Sequence, residues 1–422
     1  MNLIARIRES APVVAVAVCS WLIIISSSLT AIGLITAGCG RKVRLVQRPA
    51  AADGINRQEV IRSPNVLLIT IDTLRADHLG CYGYREVKTP NIDRLAQTGV
   101  RFTQAYTPVP ITLPSHATIM TGQYPLQTRV RDNGTFRLPN ESTTLAEILK
   151  QHGYRTAAFV SAYVLDSRYG LDQGFDLYED TLDQQPAAGR QISFLDSERR
   201  AEQVTRSALS WFDLNKFELN KSWPFFVWIH YFDPHASYHP PSPFAEQYAG
   251  HLYDGEIAYT DYWIGALLEH MEGLGLIDNT LVVLTADHGE GLGEHQEKTH
   301  AIFIYDTTLH IPLIMRHPRL IPPGRTISNL VRTLDIMPTI LSLIGVQTQA
   351  LSACSGVDLV SLIQGNAAKQ QQLQLFCETL YPQLNHGWSP LEGIRTEGWK
   401  YIRAPKPELY NLAEDPSEVN NL

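Results

Sequence analysis

Between residues 65 and 345 the chain alternates two patterns of apolar and polar positions. Short continuous apolar runs give way to longer stretches in which apolar residues return every three or four positions. The first pattern predicts buried strands and the second predicts amphipathic helices. Strands are expected at Asn65–Ile71, Thr156–Val160, Phe225–Tyr231, Leu281–Thr285 and Pro312–Met315. Helices are expected at Asn91–Gln97, Thr144–Gln151, Ser197–Trp211, Gly255–Glu272 and Leu334–Leu343, the last with Thr333 as its N-cap. Such alternation builds strand–helix–strand units and an α/β fold with a largely parallel sheet flanked by helices. The alternation fades after Gly345. Strands near Leu375–Glu378, Gly393–Arg395 and Tyr401–Arg403 predict a small α+β subdomain over 346–422, beside a main domain over 64–345.

The first 40 residues follow a different pattern. Arg6 and Arg8 precede a stretch from Ser10 to Gly40 that contains no charged residue. Such a run enters a bilayer as a spanning helix or serves as an export signal. It ends in Leu34-Ile35-Thr36-Ala37-Gly38-Cys39, which resembles a bacterial lipoprotein cleavage site and would leave Cys39 lipidated. An uncleaved signal anchor is the competing reading. Both attach the protein to a membrane. The polar linker over 41–63 then points to an extracytoplasmic domain.

Composition narrows the class further. Hydrophobic residues make up 44% of the chain and charged residues 18%, which excludes a disordered protein. A net charge of -8 without a long basic run argues against nucleic acid as a partner. Cys81, Cys354 and Cys377 lie beyond the leader and show no zinc-ligand spacing. A Cys354–Cys377 bridge and isolated thiols both remain open.

Two predicted strands end in acidic residues, Ile71-Asp72 and Ala286-Asp287-His288. Ligands gather at the carboxyl ends of strands in open α/β sheets, so these residues can meet in space. Two carboxylates and an imidazole suit one divalent cation. In the stretch Pro110-Ile111-Thr112-Leu113-Pro114-Ser115-His116, Pro114 favours a helix beginning near Leu113. Thr112 then lies at a helix N-terminus, where backbone N–H groups favour an anion. It reads either as a simple N-cap or as a nucleophile made competent by a nearby metal.

These segments resemble the sulfatases of the alkaline-phosphatase superfamily over residues 64–422. Asn65 to Gly83 is similar to their opening strand, and Thr89-Pro90-Asn91-Ile92-Asp93-Arg94-Leu95-Ala96 to their next helix. Thr112-Leu113-Pro114-Ser115-His116 sits where the family carries its Cys/Ser-x-Pro-x-Arg nucleophile motif. Asp233-Pro234-His235, Asp287-His288-Gly289-Glu290 through His295, and Leu409-Tyr410-Asn411-Leu412 match later segments. The resemblance implies an alkaline-phosphatase-like α/β sandwich and one divalent metal. It makes Asp72, Asp287 and His288 metal ligands, and Thr112 both ligand and nucleophile. It implies that His235 and His300 contact the substrate or protonate the leaving group, with His116, Asn133 and Lys298 as further substrate-binding positions. Mixed oxygen and nitrogen ligands suit Mn²⁺ or Zn²⁺, with Mg²⁺ and Ca²⁺ open.

The departures bear on substrate. Thr112 cannot become formylglycine, and His116 replaces the motif arginine. Thr73 replaces the second residue of the family's Asp-Asp pair, and Phe159-Val160-Ser161-Ala162 stands where a Gly-Lys-x-His segment is usual. Threonine nucleophiles resemble those of phosphodiesterases and of membrane phosphoglycerol transferases. A phospho-threonine is resolved by in-line water attack, whereas a sulfo-threonine lacks the aldehyde exit of formylglycine. A phosphoester or phosphonoester, small or part of a cell-envelope glycan or lipid, is therefore the expected substrate. Sulfate-ester hydrolysis and a non-catalytic binding protein are the alternatives.

Overall fold

Residues 63–182, 198–219, 223–366 and 372–422 are described in a computed structural model. The leader, Cys39 and the linker up to residue 62 lie outside the described residues.

The apolar runs become the strands of one eight-stranded sheet. In chain order they are β1 (Asn65–Ile71), β2 (Val100–Tyr106), β3 (Arg155–Phe159), β4 (Leu177–Glu179), β5 (Phe225–Tyr231), β6 (Thr280–Ala286), β7 (His310–Arg316) and β8 (Arg325–Arg332). The spatial order is β4-β3-β5-β1-β6-β7-β2-β8. Pairing is parallel except on both sides of β7. All seven residues of β1 and of β5 are buried, as expected for strands covered on both faces.

Three strands of this sheet were not predicted from the pattern. In β2 a bulge between Phe102 and Ala105 breaks the alternation, and its burial is mixed. β4 and β8 are the two edge strands, and edge positions retain polar residues.

The flanking helices used below are α1 (Pro90–Thr98), α2 (Thr112–Thr121), α3 (Leu145–Gln151), α4 (Ala201–Leu219), α5 (Leu252–Gly273) and α6 (Ile336–Leu343). Thr144 caps α3 by accepting from Glu147 N, and Glu147 reaches back in a capping box. The cap expected at Thr333 is corrected. Asp335 occupies that position, and the Thr333 hydroxyl is buried without a partner among the described residues. Every residue of α2 is buried, so this helix runs through the core rather than along its surface. It stops at Gly122, whose φ of 65° suits glycine and where a Cβ would strike Cys354 Sγ.

The C-terminal strands β9 (Leu375–Thr379), β10 (Leu391–Arg395), β11 (Trp399–Arg403) and β12 (Glu408–Asn411) form an antiparallel sheet in the order β12-β11-β10-β9. Its inner face shares a small apolar cluster with Tyr106, Ile304, Tyr305 and Leu330. The Cys354–Cys377 bridge left open by the sequence does not form, since both thiols are free.

Candidate functional site

The site follows from strand register. β1 lies between β5 and β6, with Ile71 opposite both Tyr231 and Ala286. The next residues, Asp72 and Asp287, therefore leave the sheet side by side. Asp72 N extends the ladder by donating to Tyr231 O at 2.9 Å. Thr73 then turns the chain at a φ of 54°, uncommon for a β-branched residue. That turn is held by Thr73 N donating to Asp287 Oδ1 at 3.2 Å, by its hydroxyl on Pro234 O, and by Tyr253 OH donating to Thr73 O at 2.7 Å.

α2 brings Thr112 to the same place. Ser115 donates its hydroxyl to Asp287 O at 2.7 Å and ties the first turn of the helix to the end of β6. The N-cap is Ile111, so Thr112 is the first helical residue and not the cap. Its Oγ1 is free to approach His288 Nε2, at 3.3 Å. His288 Nδ1 donates to Gly289 O at 2.9 Å, which leaves the Nε2 lone pair facing the site. Gly289 has to be glycine, because a Cβ there would lie 2.2 Å from Thr307 O.

Asp72, Asp287 and His288 each offer a ligand atom, and the three atoms lie within 4.8 Å of one another. All three residues are fully buried. Both Asp72 oxygens and Asp287 Oδ2 lack a hydrogen-bond partner among the described residues. Buried carboxylate oxygens without partners are costly, and a divalent cation would satisfy them. The donor set of hard oxygens and one imidazole fits such an ion.

The local electrostatics agree. Burial would raise the Asp72 carboxyl, but the facing His230 and the charges at His235 and His288 outweigh it and hold it below the usual range. Burial and the Asp72 charge push Asp287 well above its ordinary value. Without a cation the two carboxylates thus oppose each other's ionisation. Burial also lowers His288 to about 3.

The remaining predicted residues divide by position. His300 packs on His288 with ring centroids 4.4 Å apart, and on His235 at 5.2 Å. His300 Nδ1 lies 3.0 Å from Glu290 Oε1, and His235 Nδ1 lies 2.7 Å from Ala236 O. Asn133 Oδ1 accepts from Leu113 N at 2.9 Å, beside the nucleophile position. Lys298 is exposed on the loop before His300. The structure places His116 in the core behind Thr112. His116 is fully buried, with Nδ1 2.8 Å from Thr112 O and Nε2 3.0 Å from Thr70 Oγ1. The enclosed ring braces the Thr112 turn, with Nδ1 3.7 Å from Asp287 Oδ2.

The profile of the family described as Sulfatase matches residues 64–346. This chain belongs to the sulfatase family. It is a hydrolase of the class that acts on sulfuric or phosphoric-type esters. A further profile, the C-terminal region of N-sulphoglucosamine sulphohydrolase, matches residues 293–422. This sulfatase-family protein is 28% identical to an ulvan-active sulfatase of Formosa agariphila, over 87% of this chain and 78% of that protein. Its fold is shared with the phosphonate monoester hydrolase of Agrobacterium radiobacter, at a TM-score of 0.72 and 23% identity over 85% and 91% of the two chains. It is shared equally with a structure holding D-glucosamine-2-N,6-O-disulfate as substrate, at a TM-score of 0.72 and 23% identity over 85% and 93%.

Several residues around the sulfatase-family site were not assigned from the sequence. Glu290 is fully buried, accepts from Tyr238 OH at 3.0 Å and is raised by burial to about 7. His230, on β5, faces Asp72. A histidine inside the otherwise apolar run Phe225–Tyr231 was the available signal, since a buried imidazole requires a partner.

Proposed function

We propose that this protein is a metal-dependent hydrolase of phosphoesters or phosphonoesters, or a transferase of the same group, with Thr112 as its nucleophile. The observation that carries this reading is the Thr112 hydroxyl, 3.3 Å from His288 Nε2 at a buried cluster of partnerless carboxylate oxygens. Asp72, Asp287, His288 and Thr112 would hold one divalent ion, with Mn²⁺ or Zn²⁺ favoured and Mg²⁺ or Ca²⁺ open. Bound there, such an ion lowers the pKa of a hydroxyl and neutralises charge on the ester oxygens.

The chain's own residues supply the rest. The positive end of the α2 dipole at Thr112 favours the anionic ester. Thr112 Oγ1 loses its proton to water, attacks phosphorus in line and displaces the leaving alkoxide. His300 or His235 gives a proton to that alkoxide. Carbonyl and carboxylate partners hold Nδ1 of both rings, so Nε2 is the atom available for transfer. Water, or an acceptor hydroxyl, then attacks phosphorus and releases Thr112.

Sulfate-ester hydrolysis through unmodified Thr112 is the second reading, and the ulvan-active relative favours it. Intact mass after brief incubation with an aryl phosphate diester, an aryl phosphonate and an aryl sulfate separates the two. A phosphoryl or phosphonyl adduct on Thr112 supports the first reading. A sulfo adduct supports the second, and no adduct or turnover with any of the three rejects both. The leader and linker support a membrane-attached, extracytoplasmic enzyme. Metabolic lipid labelling of wild type and Cys39→Ala distinguishes lipidation from an uncleaved anchor.

A further inference from the structure

His230 is fully buried on β5, yet its Nε2 has no hydrogen-bond partner among the described residues. It is not a stray polar group in the core. Its Nε2 lies 3.6 Å from Asp72 Oδ2, and Asp72 Oδ2 also lacks a hydrogen-bond partner. The register explains the approach. Thr70 of β1 sits opposite His230 of β5, so the imidazole reaches the residue two positions further along β1.

The other ring nitrogen is held from β3. Ser161 follows that strand, and its backbone N–H points at His230 Nδ1 at 3.4 Å. Its hydroxyl oxygen is 3.0 Å from the same nitrogen and donates to His230 O at 2.5 Å. A backbone N–H can only donate, so Nδ1 is the accepting nitrogen and the ring proton sits on Nε2. The ring therefore presents an N–H to the carboxylate and not a lone pair. The rings of His116, at 4.9 Å, and Trp228, at 6.5 Å, pack edge-on against it.

We propose that His230 is a positioning residue for the metal site, fixed by Ser161 so that its Nε2–H steadies Asp72 Oδ2. Asp72 Oδ1 then stays turned toward His288 Nε2, 3.6 Å away, where a shared ion would sit. Groups that orient a ligand through its second atom change metal affinity by about 10–100-fold when they are removed. This inference rests on the reading of Asp72 as a metal ligand.

The test compares wild type with His230→Leu, His230→Gln and Asp72→Asn by calorimetric titration with Mn²⁺, alongside thermal unfolding without metal. Glutamine can place an N–H near the position of Nε2, whereas leucine fills the space without a donor. His230→Leu is expected to bind Mn²⁺ about 10-fold more weakly or worse, and His230→Gln within about 3-fold of wild type. Nitrogen NMR of histidine-labelled wild type, with His230→Gln used for assignment, is expected to show the proton of His230 on Nε2. This readout needs no variant beyond the assignment, so a His230→Leu protein that fails to fold leaves the test intact.

A folded His230→Leu protein with wild-type Mn²⁺ affinity overturns the proposal, as does a proton found on Nδ1. If wild type binds Mn²⁺ and Asp72→Asn does not, the metal reading stands and only the role of His230 has failed. If wild type binds none of Mn²⁺, Zn²⁺, Mg²⁺ or Ca²⁺, both fall together.

Discussion

Under the C-terminal sheet, Asp306 lies 2.8 Å from Lys400 Nζ and 3.1 Å from Arg395, and Lys400 reaches Glu418 at 2.8 Å. At the carboxyl edge of the large sheet, Asp72 and Asp287 face histidines, and among the described residues neither pairs with a lysine or arginine. Both clusters hold two carboxylates, Asp306 half-buried and the other three buried. The first brings two fixed cations to them and is formally neutral. The second brings none and leaves carboxylate oxygens without partners. A buried cluster that is balanced in charge stabilises the fold it sits in. One that lacks positive charge is complete only when a cation joins it.

The largest effect is expected at Thr112. If the deficient cluster exists to activate this hydroxyl, Thr112→Ala should lower kcat/KM on an aryl phosphate diester by about 10⁴-fold or more, with the melting temperature nearly unchanged. Residual turnover within about 10-fold of wild type would assign the chemistry to another group.

Asp306→Asn and Asp287→Asn should next behave as opposites in metal-free protein. Removing the Asp306 charge leaves Lys400 and Arg395 buried with one carboxylate, at a cost of about 3–5 kcal/mol in urea unfolding. Burial and the Asp72 charge push the Asp287 carboxyl well above its ordinary value, so asparagine removes little that the metal-free fold uses. Equal destabilisation by the two substitutions would abolish the distinction. Adding Mn²⁺ at about 100 times its Kd should then stabilise wild type and Asp306→Asn by about 2.7 kcal/mol each, and Asp287→Asn by much less.

The legibility of the sequence divides along the same line. Asp72 and Asp287 could be brought together on paper because both end apolar runs, and parallel neighbours deliver their ends to one edge. Thr112 was visible because Pro114 marks a helix start. His230 was not, because the run Phe225–Tyr231 reads as a buried strand and the partner of its histidine lies on another strand. The balanced cluster was invisible for a geometric reason. In β11, Lys400 and Ile402 point inward while Trp399, Tyr401 and Arg403 are exposed, the reverse of what side-chain polarity suggests at Lys400. Only the positions of Asp306 and Glu418 make that parity affordable. Edge strand β4 escaped because three residues show no period, and β8 and the bulged β2 because their polar residues blur the period of two.

The smallest expected effect probes whether the balanced cluster is fully balanced. Burial raises Glu418 from an ordinary 4.5 to about 7, although Lys400 opposes the shift. Asp306 moves the other way, since Lys400 and Arg395 outweigh its burial and hold it below the usual carboxylate range. The two signs give different pH windows. The Asp306 contribution is present above its ordinary value and is lost as the solution becomes strongly acidic. A raised group such as Glu418 contributes fully below its unfolded value and loses that contribution as pH climbs through its folded value. Wild type should therefore lose stability relative to Glu418→Gln between about pH 5 and pH 7, by at most about 1.4 kcal/mol per pH unit. The two proteins should be nearly equal at the acid end of that window, where Glu418 is protonated and resembles glutamine. If wild type instead gains on Glu418→Gln as pH rises, Glu418 acts as an ordinary ion-pair partner of Lys400, and the cluster has two fully paired carboxylates instead of one.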